Sequence, residues 1–232
     1  LPTNGPEGLV GAPMETTFQA ASAVWSDLTC AGVPTPFQLA TSGSGANSVG
    51  FDPCGPGDSA ILWVESGWAH SSNVVALTSI TYDVFTGEIV DADLELNAEG
   101  FSFALAPSPS QVDLQSTLTH ELGHAIGIDH SQDSDATMFA QAPPGETKKR
   151  DLDPDDLAGY CATYGPGAPP WPKLTHPIAP GQPPEDCTST KDPEGGIIID
   201  CGEPTSGGSD GGSDEGDDGC NPGVGHELPG DG

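Results

Sequence analysis

The sequence predicts an α+β domain, and two kinds of periodicity carry that prediction. Apolar residues recur every three to four positions over residues 14–29 and 114–126, as on one face of an α-helix. Between these segments, residues 74–82 and 88–96 are rich in β-branched side chains and flank a short turn, as in a β-hairpin. We therefore expect two helices and an antiparallel strand pair to share one core.

The composition changes along the chain and divides it into three parts. Residues 1–13 are rich in Gly and Pro and are expected to form a surface lead-in, and residues 14–166 are the predicted folded domain. Residues 167–232 are dominated by Pro, Gly and acidic residues, and Gly207–Gly219 contains only Gly, Ser, Asp and Glu. Such a segment buries too little apolar surface to offset its chain entropy, so a disordered acidic tail or linker is expected.

The charge excludes several classes of partner. The chain has 35 acidic and 5 basic residues and a formal net charge of −30. A nucleic-acid reader needs a basic surface, and so does a protein held on anionic lipid, so neither partner is expected. No apolar run reaches the roughly 18 residues of a membrane-spanning helix. We expect a monomer without a membrane span.

The cysteines favour an oxidising compartment. Six cysteines occur and none forms a C-x-x-C pair, which argues against a zinc knuckle. An even number in an acidic, lysine-poor chain favours disulfides and a secreted, extracellular protein. Cys30 and Cys54 are the first candidate pair because both lie in the segment expected to fold, and Cys161 would then pair with a tail cysteine. The sequence alone does not decide the full pairing.

The remaining elements follow in chain order. Short extended stretches are predicted at residues 37–40, 48–51 and 60–64. In the second arm of the hairpin, Asp91 and Asp93 alternate with apolar residues, which predicts one buried face and one wet face.

Two helices are expected after the hairpin. Asp113 is the predicted N-cap of the first, and Gly127 ends it. The second is predicted to begin at Asp153, with Pro154 in its first turn, and to run to about Tyr164.

The chemistry lies in the stretch from His120 to His130, which reads H-E-L-G-H-A-I-G-I-D-H. On a helix, His120 and His124 lie one turn apart on the same face, so both can bind one metal ion. Gly127 allows a sharp turn, with a positive φ if needed, that brings His130 back toward the same ion. Three neutral imidazoles leave a fourth position for water, which is the arrangement of a catalytic zinc site.

Glu121 directly follows the first histidine and lies beside the ligand pair. Zinc lowers the pKa of a water molecule bound to it toward neutrality. Glu121 can therefore accept a proton from that water as it attacks, and can pass the proton to a leaving amine. The sequence therefore predicts peptide hydrolysis with Glu121 as the general base. The full eleven-residue pattern is far more specific than a bare H-E-x-x-H.

These residues form the metzincin signature, and their surroundings resemble the matrixin branch of that family. Ser131 directly follows the third histidine, and Met138 lies eight residues beyond that histidine, as in the matrixin Met-turn. Residues 152–165 resemble the closing helix of matrixin catalytic domains, and residues 76–82 and 89–94 resemble their last two strands.

The resemblance covers about residues 15–165 and implies a metzincin-like (zincin) fold. That fold has a twisted mixed sheet with one antiparallel edge strand, two long helices and a C-terminal helix. It makes residues 14–166 the predicted metalloprotease catalytic domain.

The resemblance also assigns residues to the site. Met138 would form a hydrophobic floor under the zinc without binding it. An extended substrate would pair with the edge strand near Val75, Ala76 and Leu77. Phe139 stands where family members often have tyrosine and is assigned to the wall of the S1′ pocket, which is expected to take a hydrophobic residue.

We therefore expect a secreted zinc endopeptidase of the matrixin type that acts on protein or peptide substrates. Two other functions fit the sequence. One is an inactive, zinc-loaded module that binds extended peptides or tethers a surface, and the other is a zinc hydrolase of non-peptide amides. The region before the edge strand holds only His70, so a second, structural zinc is not expected.

Two clusters of charged residues allow more than one interpretation. Asp83, Asp91 and Asp93 could bind Ca²⁺ or could be solvated carboxylates on the wet strand face. The basic run 148–150 could attract acidic substrate, could be a site of self-cleavage, or could pair with the aspartates that follow it.

Overall fold

The computed structural model describes residues 1–34, 38–41, 43, 48–50, 59–82, 87 and 89–168, together with three short strands between residues 173 and 200. Its α-helices are α1 (Ala12–Ser26), α2 (Leu114–Ala125) and α3 (Pro154–Tyr164). Its strands are β1 (Thr29–Cys30), β2 (Val33–Pro34), β3 (Ile61–Val64), β4 (Ala76–Tyr82), β5 (Ile89–Asn97), β6 (Phe103–Ala104), β7 (Val112–Asp113), β8 (Lys173–Leu174), β9 (Thr188–Lys191) and β10 (Ile197–Asp200). The predicted α+β class and the three predicted helices are confirmed.

The sheet that matters for function has the order β3-β5-β4. Strand β3 pairs with β5 in parallel, and β4 pairs with β5 antiparallel, with Thr78 opposite Leu94. Among the described strands, β4 therefore forms an antiparallel edge of a mixed sheet, as predicted. Of the three predicted short stretches, the described residues contain a strand only at 61–64.

The predicted wet face of β5 is wrong. Asp91 and Asp93 are each only 4% exposed. Asp93 accepts hydrogen bonds from Gly50 N at 2.5 Å and from Ala60 N at 2.8 Å. The alternation failed because β5 is the central strand and because Gly50 and Ala60, which precede β3, bind the carboxylate that was expected to face water.

Helices α1 and α2 pack together and fill the core with large side chains. Trp25 of α1 is fully buried, and its Nε1 donates a hydrogen bond to Thr119 O of α2 at 2.8 Å. Leu118 and Leu122 of α2 are buried, as their spacing predicted, and each such side chain contributes about 1.5–3 kcal/mol. Leu9 is also buried, so the lead-in is not wholly on the surface as expected.

One disulfide joins the two ends of the domain. Cys30 of β1 is bonded to Cys161 of α3, with a Cα–Cα distance of 5.4 Å. The expected Cys30–Cys54 pair is therefore wrong; Cys54 itself lies outside the described residues. The sequence could not show this pairing because the partners are 131 positions apart and meet only when α3 packs beside β1.

The segment predicted as a disordered tail contains three short strands. Strand β10 pairs antiparallel with β9 and parallel with β8. The β-branched run 197–199 favours this strand pairing. The assignment of residues 167–232 as an acidic tail or linker stays a prediction. Within the part of the chain that the structure describes, no helix has the length and apolar character that crossing a membrane requires.

Candidate metal centre

Helix α2 carries the first two histidines. Asp113 caps it as predicted, because its Oδ1 accepts a hydrogen bond from Ser116 N at 2.8 Å. The rings of His120 and His124 then lie one turn apart, with centroids separated by 4.8 Å. The helix therefore presents both imidazoles on one face.

A sharp turn after α2 returns the third histidine to the same place. Gly127 has a φ of 82°, which L-residues rarely adopt, so the predicted role of this glycine is confirmed. His130 Nε2 lies 3.1 Å from His124 Nε2, and the ring centroid of His130 is 5.3 Å from that of His120. One ligand nitrogen from each of the three histidines lies within 4.8 Å of the others.

Two backbone carbonyls fix the orientation of the helix histidines. His120 Nδ1 is 2.7 Å from Thr137 O, and His124 Nδ1 is 2.8 Å from Ile128 O. Since a carbonyl oxygen only accepts, each Nδ1 must carry the hydrogen. The lone pair of each neutral ring is then on Nε2, which is free to bind a metal ion.

The three imidazoles fit a divalent metal ion such as zinc. Zinc lies about 2.0–2.1 Å from each histidine nitrogen in a tetrahedral site, so two such nitrogens are about 3.3 Å apart. The 3.1 Å between the Nε2 atoms of His124 and His130 is close to that spacing. The pKa of each of the three histidines is lowered, chiefly by burial, which favours the neutral form that binds metal.

Glu121 lies beside the imidazoles in a buried position. Its side chain is 5% exposed, and its Oε2 accepts a hydrogen bond from Thr78 Oγ1 of β4 at 2.6 Å. Burial raises the pKa of Glu121 to about 7, and the hydrogen bond from Thr78 opposes that rise. The carboxyl group can therefore exchange a proton near neutral pH.

Met138 packs against α2 between the two helix histidines. It is 1% exposed, and a Cβ built on Gly123 would lie 2.3 Å from Met138 Sδ. Only glycine at position 123 permits this approach. Met138 thus packs directly against α2 at Gly123, the residue before His124.

Asp156 is a site residue that the sequence did not reveal. Its carboxylate, 2% exposed, accepts hydrogen bonds from Thr137 N at 2.7 Å and from Met138 N at 2.9 Å. Because Thr137 O in turn holds His120, Asp156 positions a predicted metal ligand through the backbone. Its place in the predicted first turn of α3 gave no sign of this role.

A cavity of about 390 Å³ extends from the histidines along β4. Val75, Ala76 and Leu77, the predicted substrate-binding residues of the edge strand, line it. Phe139, which was predicted to form the wall of the S1′ pocket, is not among the residues that line this cavity. Residues 140–143 form that side of the cavity instead.

One interpretation was that the basic run 148–150 pairs with the aspartates that follow it. The ion pairs of Lys148 and Arg150 are instead made with aspartates that precede the run. Lys148 Nζ lies 3.5 Å from Asp135 Oδ1, and Arg150 Nε donates to Asp113 Oδ1 at 2.9 Å. Lys149 is 3% exposed and lines the cavity. Asp83 lies outside the described residues, so calcium binding stays a prediction.

A mixed sheet whose edge strand faces three converging imidazoles and a buried glutamate defines a metallopeptidase-type domain. The sequence model of the matrixin family matches residues 13–165. The chain therefore belongs to the matrixin family.

The relatives that this chain is similar to are named as metalloproteinases. Metalloendoproteinase 1-MMP of Arabidopsis thaliana is 30% identical over 159 residues, which are 68% of this chain and 40% of the relative. Metalloendoproteinase 1 of Glycine max is 40% identical over 75 residues, 32% of this chain and 24% of the relative. Human matrilysin is 40% identical over 47 residues, 20% of this chain and 18% of the relative. In each case, the aligned region is less than half of the relative.

Proposed function

We propose that this chain is a zinc-dependent endopeptidase with His120, His124 and His130 as zinc ligands and Glu121 as the general base. One observation carries the proposal: the buried carboxylate of Glu121 adjoins three imidazoles whose ligand nitrogens lie within 4.8 Å of one another. An acid–base group beside a metal site is what hydrolysis by an activated water requires.

Each part of the site has a task in this proposal. Bound zinc supplies a Lewis acid that lowers the pKa of water and polarises a carbonyl group. Glu121 accepts the proton of the attacking water and delivers it to the leaving amine. Thr78 holds the Glu121 carboxylate at a fixed place relative to β4. Met138 supports α2 from below.

The proposed substrate is a protein segment in extended form. Strand β4 pairs with β5 on one side only among the described strands, so its other edge can pair with a substrate main chain. The cavity lining at Val75, Ala76 and Leu77 supports this placement. The Cys30–Cys161 disulfide supports action outside the cytoplasm.

Cleavage of a complex peptide mixture tests the proposal. We expect wild-type protein to cleave it with zinc, to lose cleavage after chelation, and to regain it on zinc addition. Glu121→Ala should retain zinc, measured by elemental analysis, while turnover falls at least about a hundredfold. Glu65→Ala, at an exposed position, is the matched control.

The outcomes separate the proposal from its rivals. Full turnover of Glu121→Ala would contradict the assignment of the base. Zinc-dependent binding of peptides without any cleavage would identify an inactive peptide-binding module. Hydrolysis of simple amides but not of peptides would identify the non-peptide hydrolase.

A further inference from the structure

The cavity beside the metal centre combines apolar walls with buried polar groups. Val74, Val112 and Pro143 contribute apolar surface. Ser116, Glu146 and Lys149 also line it, which a pocket for a purely hydrophobic side chain does not require.

Ser116 lies on α2 one turn before His120 and on the same face. It is 5% exposed, and its backbone N–H is bonded to Asp113. Its Oγ has no hydrogen-bond partner among the described residues. A buried hydroxyl without a partner is costly, and the residue that carries it lines a cavity that a ligand can enter.

Glu146 and Lys149 add two opposite charges to the same lining. Glu146 Oε1 is buried and, among the described residues, accepts no hydrogen bond. Lys149 donates from Nζ to Phe139 O, which leaves further ammonium hydrogens for other acceptors. The cavity therefore offers an acceptor on Glu146, a donor on Lys149 and a hydroxyl that can act as either.

We propose that this cavity binds a substrate side chain with an apolar stem and an uncharged end that both donates and accepts hydrogen bonds, as glutamine and tyrosine do. Because the lining holds both the Lys149 ammonium and the Glu146 carboxylate, a charged end of either sign would be attracted by one and repelled by the other, whereas an uncharged end meets no like charge. A hydrocarbon would leave the polar atoms of Ser116 and Glu146 without partners. This differs from the hydrophobic residue that the sequence led us to expect.

The inference rests on the proposed peptidase function, because that function places a substrate residue here. The lining that includes Ser116 also includes His120, Glu121 and His130. A side chain in the cavity therefore belongs to a residue next to the bond that is cleaved.

Matched peptides test the inference. Two pairs differ only in the residue after the cleaved bond: glutamine against methionine, which has the same length, and tyrosine against phenylalanine, which lacks one hydroxyl. We expect kcat/KM to be at least about tenfold higher for the polar member of each pair. Peptides with glutamate or lysine at this place should be cleaved more slowly than the glutamine peptide.

Two variants assign the preference to this cavity. Ser116→Ala should reduce the polar preference to about threefold or less, whereas the exposed Ser110→Ala should leave it unchanged. Glu146→Gln should raise kcat/KM for the glutamate peptide at least about fivefold because it removes a like charge, and exposed Glu65→Gln should not. A wild-type preference for methionine and phenylalanine, or a polar preference insensitive to Ser116→Ala, overturns the inference.

Binding of the same peptides to zinc-loaded Glu121→Ala separates this inference from the proposed function. Fluorescence anisotropy should show tighter binding of the glutamine and tyrosine peptides. If that preference appears and wild type cleaves nothing, the peptidase proposal fails and the cavity assignment stands. If wild type cleaves peptides without the preference, the cavity assignment fails and the peptidase stands.

Discussion

Thr78 and Glu121 join the edge strand to the metal-site helix. Thr78 Oγ1 donates to Glu121 Oε2 at 2.6 Å and also lies 3.2 Å from Glu121 O. The proposed base is thus held by the strand that is proposed to bind substrate. Burial raises the pKa of Glu121 to about 7, while this hydrogen bond favours the charged carboxylate and limits the rise.

Replacing Thr78 by valine should shift the pH dependence of activity. A general base works only when deprotonated, so kcat/KM falls as the pH drops through its pKa. Without the hydroxyl the pKa of Glu121 rises further, and the acidic limb should move to higher pH by about one pH unit. A pH–rate profile of Thr78→Val and of Thr81→Val on the same strand measures this. If the acidic limb of the pH–rate profile is unchanged in Thr78→Val, that limb does not reflect the ionisation of Glu121.

Local spacing was enough to predict the centre of the site. His120 and His124 converge because both lie on α2, and Gly127 takes the positive φ that the return of His130 requires. The Asp113 cap was equally local. Each of these features depends on neighbours within about a dozen positions, and a sequence pattern records such neighbours directly.

Contacts between distant segments could not be predicted. Asp156 binds the backbone at Met138, and Cys30 meets Cys161, only after α3 has packed against the rest of the domain. The strand alternation predicted that Asp93 is solvated. That prediction failed because a hydrogen-bond partner of Asp93, Ala60 N, lies before β3 and 33 positions away. In each case the second partner lies far along the chain, and a periodicity argument contains no information about it.

Asp156→Asn should weaken both the fold and metal binding. Asp156 Oδ1 accepts from Met138 N, and its Oδ2 accepts from Thr137 N and Asp153 N. An amide must turn its NH₂ group toward one of these sides, so at least one backbone donor loses its partner. We expect a loss of about 2–3 kcal/mol in unfolding free energy and a roughly tenfold loss in zinc affinity, because Thr137 O orients His120.

Urea denaturation and zinc competition with a chromophoric chelator measure the two effects of Asp156→Asn. Asp151→Asn, at an exposed position nearby, is the control. Surface substitutions usually change the unfolding free energy by no more than about 0.5 kcal/mol. If the two variants differ by less than that, the Asp156 hydrogen bonds contribute little to stability.

The Cys30–Cys161 disulfide should account for a large share of stability. Its partners are 131 positions apart, so the bond removes much conformational freedom from the unfolded chain. Chain-entropy arguments give about 5 kcal/mol for a loop of this size. Guanidinium denaturation of the double variant Cys30→Ser, Cys161→Ser should show that loss, and reduced wild type should match the variant. A loss below about 1 kcal/mol would mean that native contacts between β1 and α3 already hold these ends together.

Asp91→Asn should stabilise the protein at neutral pH. Asp91 is 4% exposed, and its Oδ1 has no hydrogen-bond partner among the described residues. Burial, and then the neighbouring Asp93 charge, raise the pKa of Asp91 above its ordinary value of 3.8. A carboxyl group whose pKa is raised by folding binds its proton more tightly in the native state. It therefore destabilises the fold increasingly as the pH rises from the ordinary aspartate pKa through that raised pKa.

The variant should gain about 1 kcal/mol over wild type at pH 7, and the gain should disappear as the pH falls below the ordinary aspartate range. Urea denaturation at pH 7 and pH 3.5 in calcium-free buffer measures it, with exposed Asp27→Asn as the control. A gain that is equal at both pH values would mean that charge is not its cause. Calcium titration tests the calcium site that stays a prediction, since a cation bound at Asp91 would stabilise wild type and reverse the order of the two proteins at pH 7.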